Sequence, residues 1–294
     1  MAILINPDSA FLIQGITTRE GSHFTGQMLS YGTAIVAGVM PEKGGAWEHG
    51  IPVFDNIRTA VEATGANASI VFANAPAAVD AIYEAVEEQL KLVICITDGI
   101  PTQDTLKLKA YLSRNRHTRL IGPSSPGILI PGRSNAGIVP GFLGAEGKIG
   151  IVSRSASVAY EVMAMMSAAG LGQSTFVGVG GDPIVGTSFA DVLALFEEDP
   201  ETTSIVLIGE VGGAGELEAA AHISSRLTKP LIAYVVGRSA VPFVRMGHAG
   251  AVITTPDTTA QAKVAALKSA GAMIAHSVDD IIALLLAAHG STGR

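Results

Sequence analysis

The chain has 294 residues, 48% of them hydrophobic and 15% charged, with a formal net charge of −7. That is ample for a large buried core and roughly two domains, and it offers no basic face of the kind that binds nucleic acid. Apolar runs such as Ile281–Ala288 fall short of the ~20 residues a bilayer span needs, so no membrane partner is expected either.

The N-terminal MAILINPDSAFLIQG has no basic region followed by a long apolar stretch, so no signal peptide is expected. The strand-like runs that follow are FLIQG (11–15), IVAGV (35–39), SIVFAN (69–74), KLVICIT (91–97) and RLIGP (119–123). Between them lie helix-length amphipathic segments: HFTGQMLSYG, NIRTAVEATG, AAVDAIYEAVEEQL and TQDTLKLKAYLSRN. The strand runs are continuously apolar, as parallel strands covered on both faces by helices must be. The only cysteine, Cys95, lies inside one of them. Neither an intrachain disulfide nor a cysteine metal cluster can form, and a small buried hydrophobe in a reducing compartment is expected.

The stretch 123–147, PSSPGILIPGRSNAGIVPGFLGAEG, breaks this rhythm with clustered Pro, Gly and Ser and reads as a domain boundary. A second series then runs KIGIVS (148–153), TFVGVGG (175–181), SIVLIGEVGG (204–213), PLIAYVVG (230–237) and AMIAH (272–276), with helical segments such as ASVAYEVMAMMSAAG and SFADVLALFEEDP between. Two doubly wound α/β domains are predicted.

In such sheets ligands sit beyond the carboxyl ends of the strands, where helix N-termini present free N–H groups and partial positive charge. The turn QGITTREGSHF (14–24) is neither a GxGxxG nor a P-loop, yet it suits a nucleotide phosphate. Lys43, in the glycine-flanked PEKGGAWEHG, stands where it could reach a phosphate, and ITDGIPTQD closes another strand. In VSRSASVAYE the helix start at Ser155, Ala156 and Ser157 is an anion-site candidate, with Tyr160 one turn on. Glu210 ends a strand among glycines in IGEVGG, where a carboxylate can orient a histidine.

A lone histidine is ordinarily structural or merely exposed. His248 differs because Gly247, Ala249 and Gly250 leave its ring open to approach, and a neutral imidazole is a competent nucleophile.

Seven segments in order, ILINPDSAFLIQGIT, VAGVMPEKGG, ITDGIP, GKIGIVSRS, GVGGDPIVGTSF, IGEVGG and RMGHAGA, together resemble the α subunit of succinyl-CoA synthetase, with similar segments in ATP-citrate lyase and malate–CoA ligase. The resemblance implies a Rossmann-like CoA-binding domain over residues 1–122, a connecting segment over 123–147, and a flavodoxin-like ligase domain over 148–294. It implies that His248 is phosphorylated, that Glu210 positions it, and that Thr17, Thr18, Arg19 and Glu20, with Lys43, Ile96, Thr97 and Asp98, bind CoA. Tyr160 corresponds to a substrate- or CoA-proximal tyrosine, and Ser155–Ser157 to the helix start that holds the phosphohistidine phosphate. ATP or GTP with Mg²⁺ would bind on a separate β subunit with an ATP-grasp domain. The expected reaction joins a small carboxylic acid, succinate first, to CoA through an acyl phosphate. The expected compartment is the cytoplasm, or a mitochondrial matrix after removal of any transit peptide.

The chain departs from the family pattern at several points. The usual TGSQG loop is Thr17-Thr18-Arg19-Glu20-Gly21, PNCPG is Pro123-Ser124-Ser125-Pro126-Gly127, and SGT is Ser155-Ala156-Ser157. The usually basic run before the histidine is Pro242-Phe243-Val244-Arg245. The same chemistry on malate or citrate is an open alternative. A CoA-binding module without catalysis is another, against which the retention of both His248 and Glu210 speaks. A nicotinamide dehydrogenase is disfavoured because no strand–GxGxxG–helix unit occurs.

Overall fold

The computed structural model describes residues 2–290, which form two seven-stranded sheets with helices on both faces. The first half runs β1 (Phe11–Gln14), α1 (Arg19–Tyr31), β2 (Ile35–Val39), β3 (Trp47–Glu48), β4 (Ile51–Phe54), α2 (Ile57–Thr64), β5 (Ala68–Val71), α3 (Ala75–Glu87), β6 (Leu92–Cys95), α4 (Thr102–Leu112) and β7 (Arg119–Ile121). Spatially the strands follow β3-β4-β2-β1-β5-β6-β7, and all pairs but β3–β4 are parallel. With the antiparallel β3 left out, this is the dinucleotide-fold order, whose direction of winding reverses between β1 and β5.

The second half runs β8 (Gly127–Ile130), β9 (Ser134–Gly137), β10 (Glu146–Ser153), α5 (Ala156–Ala168), β11 (Gln173–Gly178), α6 (Phe189–Glu198), β12 (Ser204–Glu210), α7 (Gly215–Arg226), β13 (Leu231–Val236), α8 (Ala260–Ser269), β14 (Met273–Ile274) and α9 (Val278–Gly290). Its order is β14-β13-β12-β10-β11-β8-β9. The parallel strands β10 to β14 have the flavodoxin order, and the reversal falls between β10 and β12.

Segment 123–147 is built into the second sheet: β8 pairs antiparallel with β11, and β9 with β8. The Gly, Pro and Ser around its short strands resemble a linker in composition but here bound a buried hairpin. β3 likewise emerges from the glycine-flanked PEKGGAWEHG, because a two-residue strand has no periodicity to detect.

The sheets form because their central strands are mostly apolar and covered on both faces, with the few polar strand residues such as Gln14, Ser69 and Thr175 buried among them. β1, β5 and β6 are buried at every residue, and so are β8, β11 and β12. Each fully buried Ile or Phe contributes about 1.5–3 kcal/mol by leaving water. The helices begin where side chains cap them. Thr18 accepts from the Gly21 N–H, Asn56 from Thr59, Asn74 from Ala77, and Ser188 forms a capping box with Asp191.

One continuous apolar cluster crosses between the sheets, from Ile13 and Ile70 through Ile121 and Ile128 to Val177 and Phe189. Polar contacts reinforce the junction. The Thr33 hydroxyl donates to the Asn135 carbonyl (2.8 Å), and Lys109 Nζ donates to the Val185 carbonyl (3.1 Å). Among the described residues no helix is long and apolar enough to cross a membrane.

Candidate functional site

Both sheets place chemistry where their winding reverses. In the first, the carboxyl ends of β1, β2 and β5 open onto a cavity of roughly 370 Å³ lined by Gln14, Gly15, Thr18, Met40, Asn74 and Ala77, among others. Gly15 has a φ of +83°, and a Cβ there would meet the Phe72 backbone at 3.0 Å, so the turn requires glycine. The capped starts of α1 and α3, which favour an anionic group, flank the cavity, and the carboxyl side chains of Asp80 and Glu84 also line it.

Of the residues expected to bind CoA, Thr18 lines this cavity. Thr17 is half-buried in the same turn, while Arg19 and Glu20 are exposed on the first turn of α1. Lys43 is exposed in the loop beyond β2. Ile96, Thr97 and Asp98 follow β6, and the Thr97 hydroxyl donates to the Ala73 carbonyl at the cavity rim (2.5 Å). The composition of the turns does not announce Gln14, Met40, Asn74 or Ala77. Their only signal is position, at or just past a strand end.

In the second sheet the reversal lies between β10 and β12. Arg154 leaves β10, Glu210 ends β12, and the loop after β13 brings His248 to both. His248 Nδ1 lies 2.9 Å from Glu210 Oε2, and Arg154 Nε lies 3.3 Å from Glu210 Oε1. Glu210 and Arg154 are buried, whereas the His248 side chain keeps 35% of its surface. A carboxylate oxygen only accepts, so the ring hydrogen sits on Nδ1 and the lone pair of Nε2 is left free. The hydrogen bond to Glu210 raises the His248 pKa above its ordinary value, and burial offsets part of that rise.

Ser155, Ala156 and Ser157 open α5 immediately after Arg154. Ser155 occupies the cap position, but its side chain makes no capping bond, so the first N–H groups of the helix are not closed off by it. Tyr160 lies on α5 against Phe176, its hydroxyl buried without a partner, and burial pushes its pKa up to about 12.

Backbone bonds through the turn at 123–127 link the loop after β6 to the loop that carries His248. Ser124 N–H donates to the Thr97 carbonyl (2.9 Å), Gly181 N–H to the Ser124 carbonyl (3.1 Å), and Gly250 N–H to the Gly181 carbonyl (3.0 Å). Thus the strand-end loop Ile96–Asp98 of one sheet and the His248 loop of the other are separated by a short run of backbone bonds. Gly181 packs flat against the imidazole, since a Cβ there would stand 2.5 Å from His248 Cγ.

Sequence reasoning missed three contributors. Arg154 is signalled only as a charge between a strand and a helix. Asp182 follows Gly181, is buried, and has one carboxyl oxygen without a partner. Burial and the facing Asp98 push its carboxyl up to about 6, against the pull of His248, Arg154 and Arg245. Lys263, fully buried, reads in sequence as an ordinary solvated lysine of a helix.

Comparison with known proteins gives the same two halves. The CoA binding domain family matches residues 6–99, and the CoA-ligase family matches residues 152–273. The succinate–CoA ligase [ADP-forming] α subunit of Aquifex aeolicus is 49% identical over 93% of this chain and 90% of its own. The malate–CoA ligase α subunit of Methylorubrum extorquens is 48% identical over 94% of each. Among solved structures, ATP citrate lyase from Methanothrix soehngenii in complex with citrate and coenzyme A superposes with a TM-score of 0.86 at 25% identity. That match covers 98% of this chain, which spans only 52% of the length of the lyase chain.

Proposed function

We infer the function from the premise that this chain belongs to the succinate–CoA ligase α-subunit family: it is the α subunit of an NDP-forming acid–CoA ligase, with succinate as its acid. The 49% identity to the Aquifex aeolicus subunit over nearly the full length supports the reaction. The malate–CoA ligase relative at 48% makes malate the second acid to test.

Within that reaction we assign His248 as the phosphoryl carrier and Glu210 as the group that orients it. Nε2 attacks the terminal phosphorus of ATP or GTP; an N–P bond forms as a P–O bond breaks and the nucleoside diphosphate leaves. The acid's carboxylate then takes the phosphoryl group, giving an acyl phosphate and restoring neutral His248. The CoA thiolate attacks the acyl carbon and expels phosphate. A carboxylate is a poor acyl donor, so this detour through phosphate supplies the leaving group.

Glu210 fixes the ring and stabilises the charge that Nδ1–H gains as Nε2 is phosphorylated. The α5 start at Ser155–Ser157 supplies N–H groups to the phosphate, which are not consumed in the reaction. Tyr160 we assign to the acid or the end of CoA nearest it. CoA is held by the first sheet, from the Thr17–Glu20 turn with Lys43 and the Ile96–Asp98 loop, across the cavity between β1 and β5. CoA-binding and ligase functions thus divide between residues 1–122 and 148–294, with 123–147 joining them. The triphosphate and its Mg²⁺ belong to a β partner, which we expect to carry an ATP-grasp domain. The buried lone cysteine fits a cytoplasmic setting.

The observation that carries the reading is the imidazole held by Glu210 through Nδ1 with Nε2 open, at the winding reversal of the second sheet. To test it, the chain and its β partner are incubated with γ-labelled ATP and Mg²⁺, and acid-labile phosphate is mapped by peptide mass. Label is expected on His248, and none in His248→Asn. Label persisting in that variant would overturn the assignment.

A further inference from the structure

At its last residue β12 has β13 on one side, where Glu210 is in register with Val236, while its pairing with β10 stops at Ile208, and a buried ion pair takes the backbone polar groups of Glu210 instead. Lys263 on α8 and Glu216 on the first turn of α7 are both fully buried and bonded to each other. Lys263 Nζ also donates to the carbonyl of Glu210 (2.7 Å) and to that of Gly212. Glu216 Oε1 accepts the Glu210 N–H (2.9 Å). The peptide N–H and C=O of the residue that orients His248 are therefore gripped by the two halves of one ion pair.

Stability alone does not account for this arrangement. Removing two charges from water is costly, and apolar residues of similar volume are often as stabilising or more so. Burial draws the Lys263 ammonium below its ordinary pKa even though Glu216 opposes this. What apolar side chains cannot do is satisfy the backbone groups of residues 210 and 212 at fixed positions. The grip reaches further through Gly209, where a Cβ would stand 2.7 Å from Glu216 Cγ, so the Glu216 side chain lies directly on the strand. Gly212 N–H meanwhile donates to the Thr258 carbonyl (2.9 Å), one residue before the cap of α8.

We propose that Lys263 and Glu216 are positioning residues for phosphoryl transfer: by holding the Glu210 backbone at both its N–H and its C=O, they set the Glu210 carboxylate against His248 Nδ1. This rests on His248 being the phosphoryl carrier. The pair touches no reacting atom and acts only through Glu210.

The test compares the wild-type chain, assembled with its β partner, with Lys263→Met/Glu216→Leu and with Glu216→Gln. The first reading is steady-state kinetics. The double variant is expected to lose about ten- to a hundredfold in kcat, because small misplacements of reacting groups cost that much. The KM for CoA should hold, since CoA lies on the other sheet. The second reading is carbethoxylation of His248 by diethylpyrocarbonate at a series of pH values, followed by peptide mass. Its midpoint is expected to fall by about half a unit or more as the Glu210 bond loosens.

Unchanged kcat and midpoint in a folded double variant would overturn the proposal. Should that variant not fold, Glu216→Gln decides by the same two readings, with a smaller loss in the same direction expected. Failure of both to fold assigns the pair to stability and overturns it equally. The carbethoxylation midpoint does not depend on turnover. Absence of phosphohistidine in the wild type would therefore sink the functional reading and the transfer role with it, while the midpoint still shows whether the pair sets the Glu210–His248 bond.

Discussion

Nδ1 of His248 stands 2.9 Å from Oε2 of Glu210, and the bond spans 38 residues of chain. Its consequence is a defined pH dependence. The bond raises the imidazole pKa, and only the neutral ring can attack phosphorus. Phosphohistidine formation should therefore rise with pH through a midpoint above the ordinary histidine value of about 6.5. Glu210→Gln removes the charge that holds the proton, so the midpoint should move to lower pH while the plateau rate falls about tenfold or more. Rapid-quench measurement of phosphohistidine from pH 5.5 to 8.5 reads both. An unmoved midpoint would mean that Glu210 does not govern the ring. The same pair stabilises the fold below the unfolded histidine pKa, and that contribution fades as pH rises through the raised folded value.

Gly181 bears on the same ring from its face. Because a Cβ there would lie 2.5 Å from His248 Cγ, Gly181→Ala must push the imidazole off its Glu210 bond. We expect phosphohistidine formation to fall about tenfold or more with CoA affinity intact. Phosphorylation at the wild-type rate would show that the ring has another equally good seat.

Much of this architecture is legible in sequence, for identifiable reasons. Continuous apolar runs such as SIVLIGE identify parallel strands because both faces of those strands are covered, and the glycine turns after them mark the ligand-facing ends. His248 and Glu210 stand out because small neighbours isolate them. The hairpin of β8 and β9 hides in a Gly- and Pro-rich stretch, since short strands have no period to read. The positions of Arg154, Asp182, Lys263 and Glu216 depend on which strand ends the winding brings together. One-dimensional spacing does not record that, and a buried lysine on a helix looks in sequence like an exposed one.

The proposed CoA site in the cavity between β1 and β5 allows coenzyme binding and phosphoryl acceptance to be tested separately. Ala77 lines it and is exposed on the first turn of α3, so a large side chain there fills space without disturbing the core. Ala77→Trp is expected to weaken CoA binding about tenfold or more, the equivalent of roughly 1.4 kcal/mol. Labelling of His248 from ATP should continue at the wild-type rate. Isothermal titration with CoA and a labelling assay without CoA test the two halves independently. Unaltered CoA affinity would put the coenzyme elsewhere on the sheet.

Asp182 gives a stability prediction with a fixed sign. Its carboxyl is pushed from the ordinary aspartate value up to about 6, chiefly by burial, with Asp98 facing it from the other sheet. A carboxyl whose folded pKa is raised favours folding while protonated. Its ionisation begins to cost stability above the unfolded pKa of about 3.9, and that cost is fully present above the folded value. The Asp182→Asn side chain cannot ionise, so it escapes this cost. The difference in unfolding free energy, variant minus wild type, should therefore climb between about pH 4 and pH 6.5 and then level off, by roughly 2–3 kcal/mol at most. Taking the difference removes the titrating groups that do not interact with Asp182. His248 does interact with it, and because its ring is protonated in both states well below its ordinary value, the slope below about pH 6 reads Asp182. Any constant offset from the lost carboxyl oxygen is removed as well, because only the slope with pH is read. Chemical denaturation of both proteins at closely spaced pH values measures it. A flat difference across that window would mean that Asp182 is ionised in the fold at little cost, with a counter-charge compensating its burial.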